Sequence, residues 1–312
     1  MFFAKVYDFS FGFMNVQKHT SPTELKIKPA ATYYTSQYLL AQSYPNLQLF
    51  SNSSFFVPVT IQSSDATTLE RSPFGSYMSF SDGSLASFTS FEEEVVASLK
   101  TDGCTKMVAR HPSPIYSDYV DREWLAKVGY AVIFEDINQH IDLTIGWEDR
   151  LHKMQLRKLK SLQEDGFSFQ VISPRDIEIV HQFLTVCRLA QGLDINISLE
   201  KLRQLCDSLP NTYNFFGVYR ESKLSAVCIS VRVTNSIAYY YLAGTSPLFR
   251  SKSPMVLLIS GMVAYYRNLG LKTLDLGVSS HEGRPQETLR LFKNRMGAIE
   301  TKKPTFSKMI DS

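Results

Sequence analysis

The sequence is poor in cysteine and has no long apolar run. Its four cysteines stand too far apart for a CxxC pair and have apolar neighbours, which predicts reduced, buried thiols and no disulfide framework. The longest apolar run, residues 255–266, contains a serine and a glycine and is shorter than the roughly 20 residues that span a bilayer. The amino terminus also lacks the features of a signal peptide. These absences predict a cytoplasmic protein.

An excess of charge of one sign is lacking too. A formal net charge of +3 is too small to favour bulk binding to nucleic acid or to a membrane. The six histidines are scattered and show no metal-ligand spacing, so we expect no metal. What the chain does have is length and apolar content, because 312 residues with 44% hydrophobic side chains suffice for two hydrophobic cores.

The first half alternates short helices and strands in the loose order α-β-β-α-β-α-β. We predict that Ser90 caps the middle helix, because three glutamates follow it in the first turn, where the helix dipole favours anions. Glycines close this helix and the next one. The predicted helices are residues 31–43, 90–100 and 121–128, and the predicted strands are residues 47–50, 55–61, 106–109 and 130–134.

A basic amphipathic segment separates the halves. Leucine and methionine side chains keep helical spacing over residues 147–165, which predicts one helix there. Arginine and lysine cover the rest of its surface. Such a surface can bind a phosphate backbone, and it is also typical of a solvated helix face, so both interpretations stay open.

The second half has a clearer order, β-α-α-β-β-β-α-β-α followed by a weak edge strand. Antiparallel strands come first and one parallel βα crossover follows, which predicts an α+β fold with a mixed sheet flanked by helices. Ser-Pro pairs open two of the helices. The predicted strands are residues 167–172, 214–219, 224–233, 236–242, 273–276 and 299–302, and the predicted helices are residues 173–191, 198–208, 253–268 and 286–296.

Four segments, in order along the chain, resemble one known family. They are residues 156–160 with the Gly-Phe pair after them, residues 241–246 with the Ser-Pro and Leu-Leu pairs after them, residues 274–278 and residues 291–298. Together they make this region similar to the GNAT superfamily of acyltransferases, and to its Fem-type branch of peptidoglycan-bridge aminoacyltransferases. The resemblance implies two tandem GNAT-like domains, residues 1–145 and 146–312, of which the first is degenerate and the second carries the donor site.

The resemblance also implies a donor site at the helix that follows the Ser-Pro pair at 253. In GNAT domains the donor's pyrophosphate rests on amides at this helix start, which uses the positive end of the helix. The candidates are Arg250, Lys252, Ser253, Met255 and Val256. The alternative is an ordinary strand-to-helix turn with solvated basic residues. The GNAT glycine-rich signature is missing here, as it is in Fem-type enzymes, which take the acyl group from aminoacyl-tRNA. The donor is thus an acyl-CoA or an aminoacyl-tRNA.

Three residues are candidates for catalysis. Lys293 matches a lysine near the reacting centre of Fem-type relatives, where a cation could stabilise negative charge. His281 has a side chain suited to accepting an amine proton, and Asp275 lies in the strand before it. The alternatives are a surface lysine on an amphipathic helix, a solvated loop histidine and an aspartate that caps a backbone amide. The buried face of that last helix is predicted to be Leu289, Phe292 and Met296.

Three further residues are candidates for the acceptor side. Consecutive tyrosines alternate across a strand, so that one face is core and the other can line a cleft, and we assign Tyr240 to the cleft. Arg71 and Phe74 lie in a Ser-Pro-Phe-Gly loop that we expect to reach the groove between the domains, a tight turn being the alternative.

The sequence thus predicts an acyltransferase that moves an acyl or aminoacyl group to an amine. The acceptor would be a small molecule or a nucleotide-linked sugar, and tRNA would be a partner if it is the donor. The alternative is a non-catalytic GNAT-like binding protein that has lost donor binding.

Overall fold

Helices cover both faces of one large sheet in this chain. The computed structural model describes residues 16–25, 31–69, 72–80 and 83–310, and its main sheet has 13 strands with both parallel and antiparallel neighbours. The predicted α+β class, with a mixed sheet flanked by helices, is therefore confirmed. Among the described residues, no helix combines the length and the apolar character needed to cross a membrane.

The elements of the described part have the following bounds. The strands are β1 (Gln17–His19), β2 (Leu47–Ser51), β3 (Phe55–Gln62), β4 (Asp65–Thr68), β5 (Met78–Ser79), β6 (Lys106–Arg110), β7 (Ala131–Asp142), β8 (Phe167–Ile172), β9 (Tyr213–Arg220), β10 (Lys223–Arg232), β11 (Ile237–Thr245), β12 (Thr273–Val278), β13 (Ser280–His281), β14 (Arg284–Pro285) and β15 (Ile299–Met309). The α-helices are α1 (Ser36–Gln42), α2 (Leu85–Thr101), α3 (Arg122–Lys127), α4 (Trp147–Arg150), α5 (Lys153–Glu164), α6 (Ile177–Leu189), α7 (Leu199–Ser208), α8 (Met255–Asn268) and α9 (Glu287–Arg295).

The main sheet joins both halves of the chain. Its order is β1-β2-β3-β4-β6-β15-β7-β12-β11-β10-β9-β8, with β5 paired to β3. The strand β15 has 11 residues and lies between β6 and β7, so the predicted short edge strand over residues 299–302 is wrong. Its lysines and threonines are typical of an edge, whereas its internal position depends on two partner strands far earlier in the chain. The predicted division into residues 1–145 and 146–312 stays a prediction, and this last strand lies among strands of the first part.

The two halves repeat one motif. In each, two antiparallel strands precede a helix and then a strand parallel to the second: β3-β4-α2-β6 in the first half, with the short strand β5 inserted before α2, and β10-β11-α8-β12 in the second. In the first copy a loop covers the position beyond β4, because the N–H of Gly75 donates to the carbonyl of Arg110 (2.8 Å). The first copy therefore has no gap at this position, whereas the second copy has a gap between β11 and β12.

The basic segment between the halves forms two helices, so the single helix predicted over residues 147–165 is wrong. Leu151 is extended after α4, and His152 then caps α5 by accepting from the N–H of Met154 (3.2 Å). The N–H of His152 donates to the carbonyl of Arg295 at the end of α9 (3.0 Å). This contact between distant segments breaks the helix, and helical spacing alone could not predict it.

Two first-half helices also begin elsewhere than predicted. The helix α2 begins well before Ser90, because Ser84 and Ser87 form a capping box in which each side chain bonds the other's backbone. The helix predicted over residues 31–43 is a 3-10 turn followed by α1, which Thr35 caps.

The helix α8 is held against the sheet by close packing at one glycine. Gly261 lies at its middle, and a Cβ at this position would overlap the ring of Phe169 on β8. The ring of Phe169 in turn stacks on Phe216 of β9, with ring centroids 5.7 Å apart. The absence of a side chain at Gly261 thus sets how closely α8 approaches β8.

Gly261→Ala should destabilise the protein by about 1–3 kcal/mol, as overpacked core positions do. The opposite sign would hold in an unpacked helix, where this change stabilises by about 1 kcal/mol. Urea unfolding measures the difference, and Ser260→Ala, one residue earlier and half-buried, is the control. A Gly261→Ala protein as stable as the wild type would contradict the close approach.

Candidate functional site

The strands β11 and β12 separate after a short parallel pairing. Ile237, Ala238 and Tyr239 pair with residues 273–275, and β11 then continues to Thr245 with no partner on that side in the described chain. Two local features cause the separation. A bulge leaves Tyr241 without a partner on β10, and Gly277 turns β12 away with a φ of +73°. We call this gap the strand opening.

The helix α8 begins just beyond the end of β11, after a 3-10 turn over Pro247–Lys252. The N–H of Val256 donates to the carbonyl of Ser253 (3.1 Å) and is therefore not available to a ligand, contrary to our expectation. The N–H groups of Met255 and Leu257 have no hydrogen-bond acceptor within the described residues. Because α8 has 14 residues, its start carries the partial positive charge that favours anions.

Basic side chains surround the start of α8. The amine of Lys158 on α5 donates to the hydroxyl of Ser253 (3.0 Å). Lys252 forms an ion pair with Asp165 (2.8 Å), which offsets part of its charge, and Arg250 is exposed. The predicted donor residues thus lie together, and the structure adds Lys158 to them.

Asp275 is enclosed by hydrogen-bond donors. It is 1% exposed, and its Oδ2 accepts from the hydroxyl of Tyr116 (2.8 Å). Its Oδ1 accepts from the side-chain amide of Asn138 and from the N–H of Gly277 (both 2.9 Å). The carboxylate therefore fixes the turn at Gly277 and ties β7 and the Tyr116 loop to β12. Its catalytic role stays a prediction.

Lys293 is the buried residue of α9, with 5% exposure. Its amine donates to the carbonyls of Gly277 (3.0 Å) and Val278 (2.8 Å). Burial lowers the pKa of the amine to about 8, while the nearby carboxylate of Asp275 opposes this shift. The amine thus holds the backbone at the turn of β12, at the edge of the strand opening.

The buried face of α9 differs from the prediction. Met296, just after the helix, is buried and Phe292 is half-buried, but Leu289 is exposed, so the prediction is wrong for Leu289. The reason is a polar contact beneath the helix: the side-chain amide of Gln139 on β7 donates to the carbonyl of Arg290 (3.1 Å). This contact turns Lys293, rather than leucine, toward the sheet.

His281 lies apart from the pair formed by Lys293 and Asp275. It is exposed on the two-residue strand β13. That hairpin is fixed over β7 by Asp136, which accepts from the hydroxyl of Ser280 (2.6 Å) and the N–H of Gly283 (3.1 Å). No hydrogen bond of the described chain joins His281 to the other two candidates.

Lys303 was not predicted, and it also lies near Asp275. It is half-buried on β15, and its amine donates to the carbonyl of Pro73. Burial lowers its pKa to about 8, opposed by Asp136 and Asp275. Lys303 therefore fixes the loop that contains Pro73 to the strand β15.

A groove of about 610 Å³ lies between the halves of the chain. We call it the tyrosine groove, and it is lined by Gln42, Ser72, Pro73, Asn196, Ile197, Ser198, Lys201, Tyr239 and Tyr241. Tyr239 also stands beside Gly277, where a Cβ would lie 3.2 Å from its hydroxyl. The tyrosine groove therefore meets the strand opening at Tyr239 and Tyr241.

Two of the predicted acceptor residues lie elsewhere. Tyr240 points to the other face of the sheet, where its hydroxyl donates to the sulfur of Met255 (3.0 Å), because side chains alternate along β11. Phe74 is buried against Tyr116, with ring centroids 4.4 Å apart. Both assignments to the groove are therefore corrected, and Arg71 lies outside the described residues.

The strand alternation could have identified the residues that line the groove. It places Tyr239 and Tyr241 on the face opposite to Tyr240, and only the choice of face was wrong. No sequence pattern pointed to Asn138 or Tyr116, because they lie 137 and 159 residues away from Asp275 in the chain. In the described residues, no three His, Cys, Asp or Glu side chains are grouped as metal ligands.

Comparisons with known proteins agree with this geometry. Residues 151–283 match a family model described as an acetyltransferase (GNAT) domain, which covers less than half of the chain. No curated protein sequence matches this one.

Solved structures extend the similarity over nearly the whole chain. FemX is 9% identical, with a TM-score of 0.68 over 95% of this chain and 97% of that one. The C-terminal domain of a putative lysylphosphatidylglycerol synthetase from Agrobacterium fabrum is 14% identical, with a TM-score of 0.61 over 86% and 84%. A tandem GNAT protein from the clavulanic acid biosynthesis pathway is 10% identical, with a TM-score of 0.53 over 86% and 85%. At these identities the similarity concerns the fold alone.

The resemblance predicted from the four sequence segments is therefore confirmed: residues 151–283 match a GNAT acetyltransferase domain, and the fold of nearly the whole chain is similar to the folds of FemX and of a tandem GNAT protein.

Proposed function

We propose that this protein is an N-acyltransferase that moves an acyl or aminoacyl group from a coenzyme A thioester or an aminoacyl-tRNA to an amine. The observation that carries the proposal is the strand opening between β11 and β12, with the start of α8 beside it. The acceptor nitrogen would attack the donor's carbonyl carbon, and a C–N bond would form as the C–S or ester C–O bond breaks. The amine's proton would pass to a base, and the departing thiolate or alkoxide would take up a proton.

The donor's phosphates would be held at the start of α8. The unpaired N–H groups of Met255 and Leu257 and the amine of Lys158 supply donors there. The acyl group would then extend into the strand opening, where the bulge at Tyr241 leaves the backbone of β11 unpaired. An N–H at such a position can stabilise the oxyanion of the tetrahedral intermediate.

The acceptor would approach through the tyrosine groove, because this groove meets the strand opening from the other side. Donor and acceptor would then react where Tyr239 and Gly277 adjoin. Lys293 would act here as a positioning residue, through the carbonyls of Gly277 and Val278. A cytoplasmic location, where both kinds of donor occur, is part of this proposal.

Two observations favour a second function. Both oxygens of Asp275 are engaged by donors, and Lys252 is paired with Asp165. Asp275 is therefore less available as a catalytic base, and Lys252 is less available to bind the phosphates of an acyl donor. These observations support a GNAT-like binding protein without catalysis as the alternative.

Binding of acetyl-CoA and of a charged tRNA, each measured separately, tests the proposal. Lys158→Ala should weaken binding of the true donor about tenfold or more, because a charge-assisted hydrogen bond contributes about 1.5–3 kcal/mol. The control is Lys160→Ala, two residues along α5, whose side chain is 79% exposed.

The control also separates the two donors. Lys160→Ala should leave acetyl-CoA binding unchanged, whereas it should weaken tRNA binding and reduce its salt dependence, since each lost phosphate contact lowers the salt slope. If neither donor binds the wild type, the acyltransferase proposal fails and the non-catalytic alternative stands.

A further inference from the structure

The helix α6 is apolar on two sides. One side packs into the core through Ile177, Val180, Leu184 and Cys187. The other side has Ile179, Phe183 and Val186 at helical spacing, and Ile179 and Val186 are each 55% exposed. A surface helix normally presents polar residues to water, so this second apolar side indicates a partner outside the described chain.

The exposed side of α6 continues across a groove onto the turn that follows β11. The groove has a volume of about 310 Å³ and is lined by Ile179, Gln182, Phe183, Val186, Cys187, Leu224, Ser246 and Pro247. Leu248 follows Pro247 in the 3-10 turn and is 84% exposed, more than any other large apolar side chain of the described residues. We call the surface formed by Ile179, Phe183, Val186, Leu224, Pro247 and Leu248 the α6 patch. Contiguous exposed apolar surfaces of this kind mark interaction sites.

Three basic side chains lie around the α6 patch. Arg175 is in the 3-10 turn before α6, and Arg250 is in the same turn as Leu248. Lys223 begins β10 and directly precedes Leu224. All three are exposed, and none forms an ion pair with another described residue.

The acidic side chains nearby offset little of this positive charge. Glu178 is paired with Arg203, and Glu221 is paired with Arg220 (4.0 Å). Asp176 is then the one acid near the patch that has no basic partner among the described residues. The surroundings of the patch therefore favour a partner with negative charge.

A lipid bilayer with anionic headgroups matches both properties of the α6 patch. Its headgroup phosphates can meet the basic side chains, and its acyl region can receive Leu248 and the exposed side of α6. A second copy of the chain matches less well. A two-fold contact through this patch would bring the three positive charges of one copy close to those of the other.

We propose that the α6 patch binds the surface of an anionic lipid bilayer, with the side chains of Leu248 and Val186 inserted among the lipids. The local arrangement supports this inference, since a net charge of +3 would not by itself hold the protein at a membrane. Leu248 lies in the turn between β11 and α8. The strand opening and the start of α8 would therefore be close to the bilayer in the bound protein.

Co-sedimentation of the full chain with lipid vesicles tests the proposal. The wild type should bind vesicles made of equal parts of phosphatidylserine and phosphatidylcholine. It should bind vesicles of phosphatidylcholine alone about tenfold more weakly, because the basic side chains lose their anionic partners, and added salt should weaken binding to the anionic vesicles. Leu248→Ser should weaken that binding about tenfold or more, the value of burying one leucine side chain.

Leu269→Ser is the matched control. Leu269 is 51% exposed and lies at the opposite end of α8 from the turn of Leu248, so this protein should bind the vesicles as the wild type does. Val186→Ser on α6 is a second, independent test and should weaken binding in the same way as Leu248→Ser. Because both side chains are exposed, we expect both proteins to fold, and circular dichroism checks this.

Three results would overturn the proposal. The first is a wild type that does not bind the anionic vesicles, and the second is unweakened binding by both Leu248→Ser and Val186→Ser. The third is an equal loss of binding in Leu269→Ser, because the loss would then not be specific to the α6 patch. A wild-type dimer in gel filtration that Val186→Ser dissociates, without vesicle binding, would show that a second copy covers the patch instead.

The acyltransferase proposal can fail without this one. Binding of acetyl-CoA or of charged tRNA is measured in the absence of lipid, and vesicle binding is measured in the absence of donor. Vesicle binding that depends on Leu248, without binding of either donor, would keep the membrane surface and remove the acyltransferase.

Discussion

Asp275→Ala should lower the free energy of unfolding by about 3–5 kcal/mol, because it leaves three buried donors unpaired and each costs about 1–3 kcal/mol. The donors are the hydroxyl of Tyr116, the side-chain amide of Asn138 and the N–H of Gly277. They come from three separate segments, so the loss would loosen the junction between the halves. Urea unfolding followed by circular dichroism measures the change.

Asp207→Ala is the control for this substitution. Asp207 is exposed near the end of α7, and its replacement should change stability by no more than about 0.5 kcal/mol. An Asp275→Ala protein within 1 kcal/mol of the wild type would show that the three donors find other partners. A stable Asp275→Ala protein without acyl transfer would instead support the predicted catalytic role.

The Lys293→Met protein and the wild type should diverge in stability as the pH rises. The folded pKa of Lys293 is about 8, because burial lowers it, against about 10.4 for an ordinary lysine. Between these values the unfolded chain binds a proton that the folded protein has lost, so the wild type gains stability with rising pH. The gain relative to Lys293→Met should reach about 3 kcal/mol by pH 10.5, at 1.36 kcal/mol per unit of pKa.

Urea unfolding of both proteins at pH 7, 8, 9 and 10 measures this difference. Because all other titrating groups are the same in the two proteins, their contributions to stability cancel in the difference. Lys160→Met, at an exposed position of α5, should run parallel to the wild type. A constant difference between the wild type and Lys293→Met across this range would mean that the buried amine keeps an ordinary pKa.

The same residue should affect turnover if the acyltransferase proposal holds. Lys293→Ala should reduce it about 10²–10³-fold, the loss expected when the groups around an oxyanion are misplaced. A positioning role further predicts that the wild-type rate depends on pH with a midpoint near the pKa of about 8. Unchanged turnover in the Lys293→Ala protein would show that the role of Lys293 is purely structural.

The sequence predicted the second half well because its signals are local. The predicted strands over residues 214–219 and 224–233 correspond closely to β9 and β10, and the predicted helix over residues 253–268 to α8. Apolar periodicity, a Ser-Pro start and a glycine end act within a few residues of each other. The donor candidates were placed together for the same reason, since Arg250, Lys252 and Ser253 are neighbours in the chain.

The features that were missed depend on partners far away in the chain. The break after α4 depends on Arg295, and the internal position of β15 depends on β6 and β7. The choice between Tyr240 and its neighbours depends on which face of β11 meets the first half. A single strand shows alternation but not the identity of the layer that each face contacts.

By itself, the sequence determined that the chain builds an α+β fold in two similar halves and that a GNAT-like region follows the basic segment. It could do so because periodicity, helix caps and turns are determined by residues that are close together in the chain. Only the tertiary structure decided that Lys293 is buried beneath Gly277, that Asp275 is enclosed and that Tyr239 and Tyr241 face a groove shared by both halves. Burial and charge pairing arise between segments brought together by folding, and no pattern within one segment contains them.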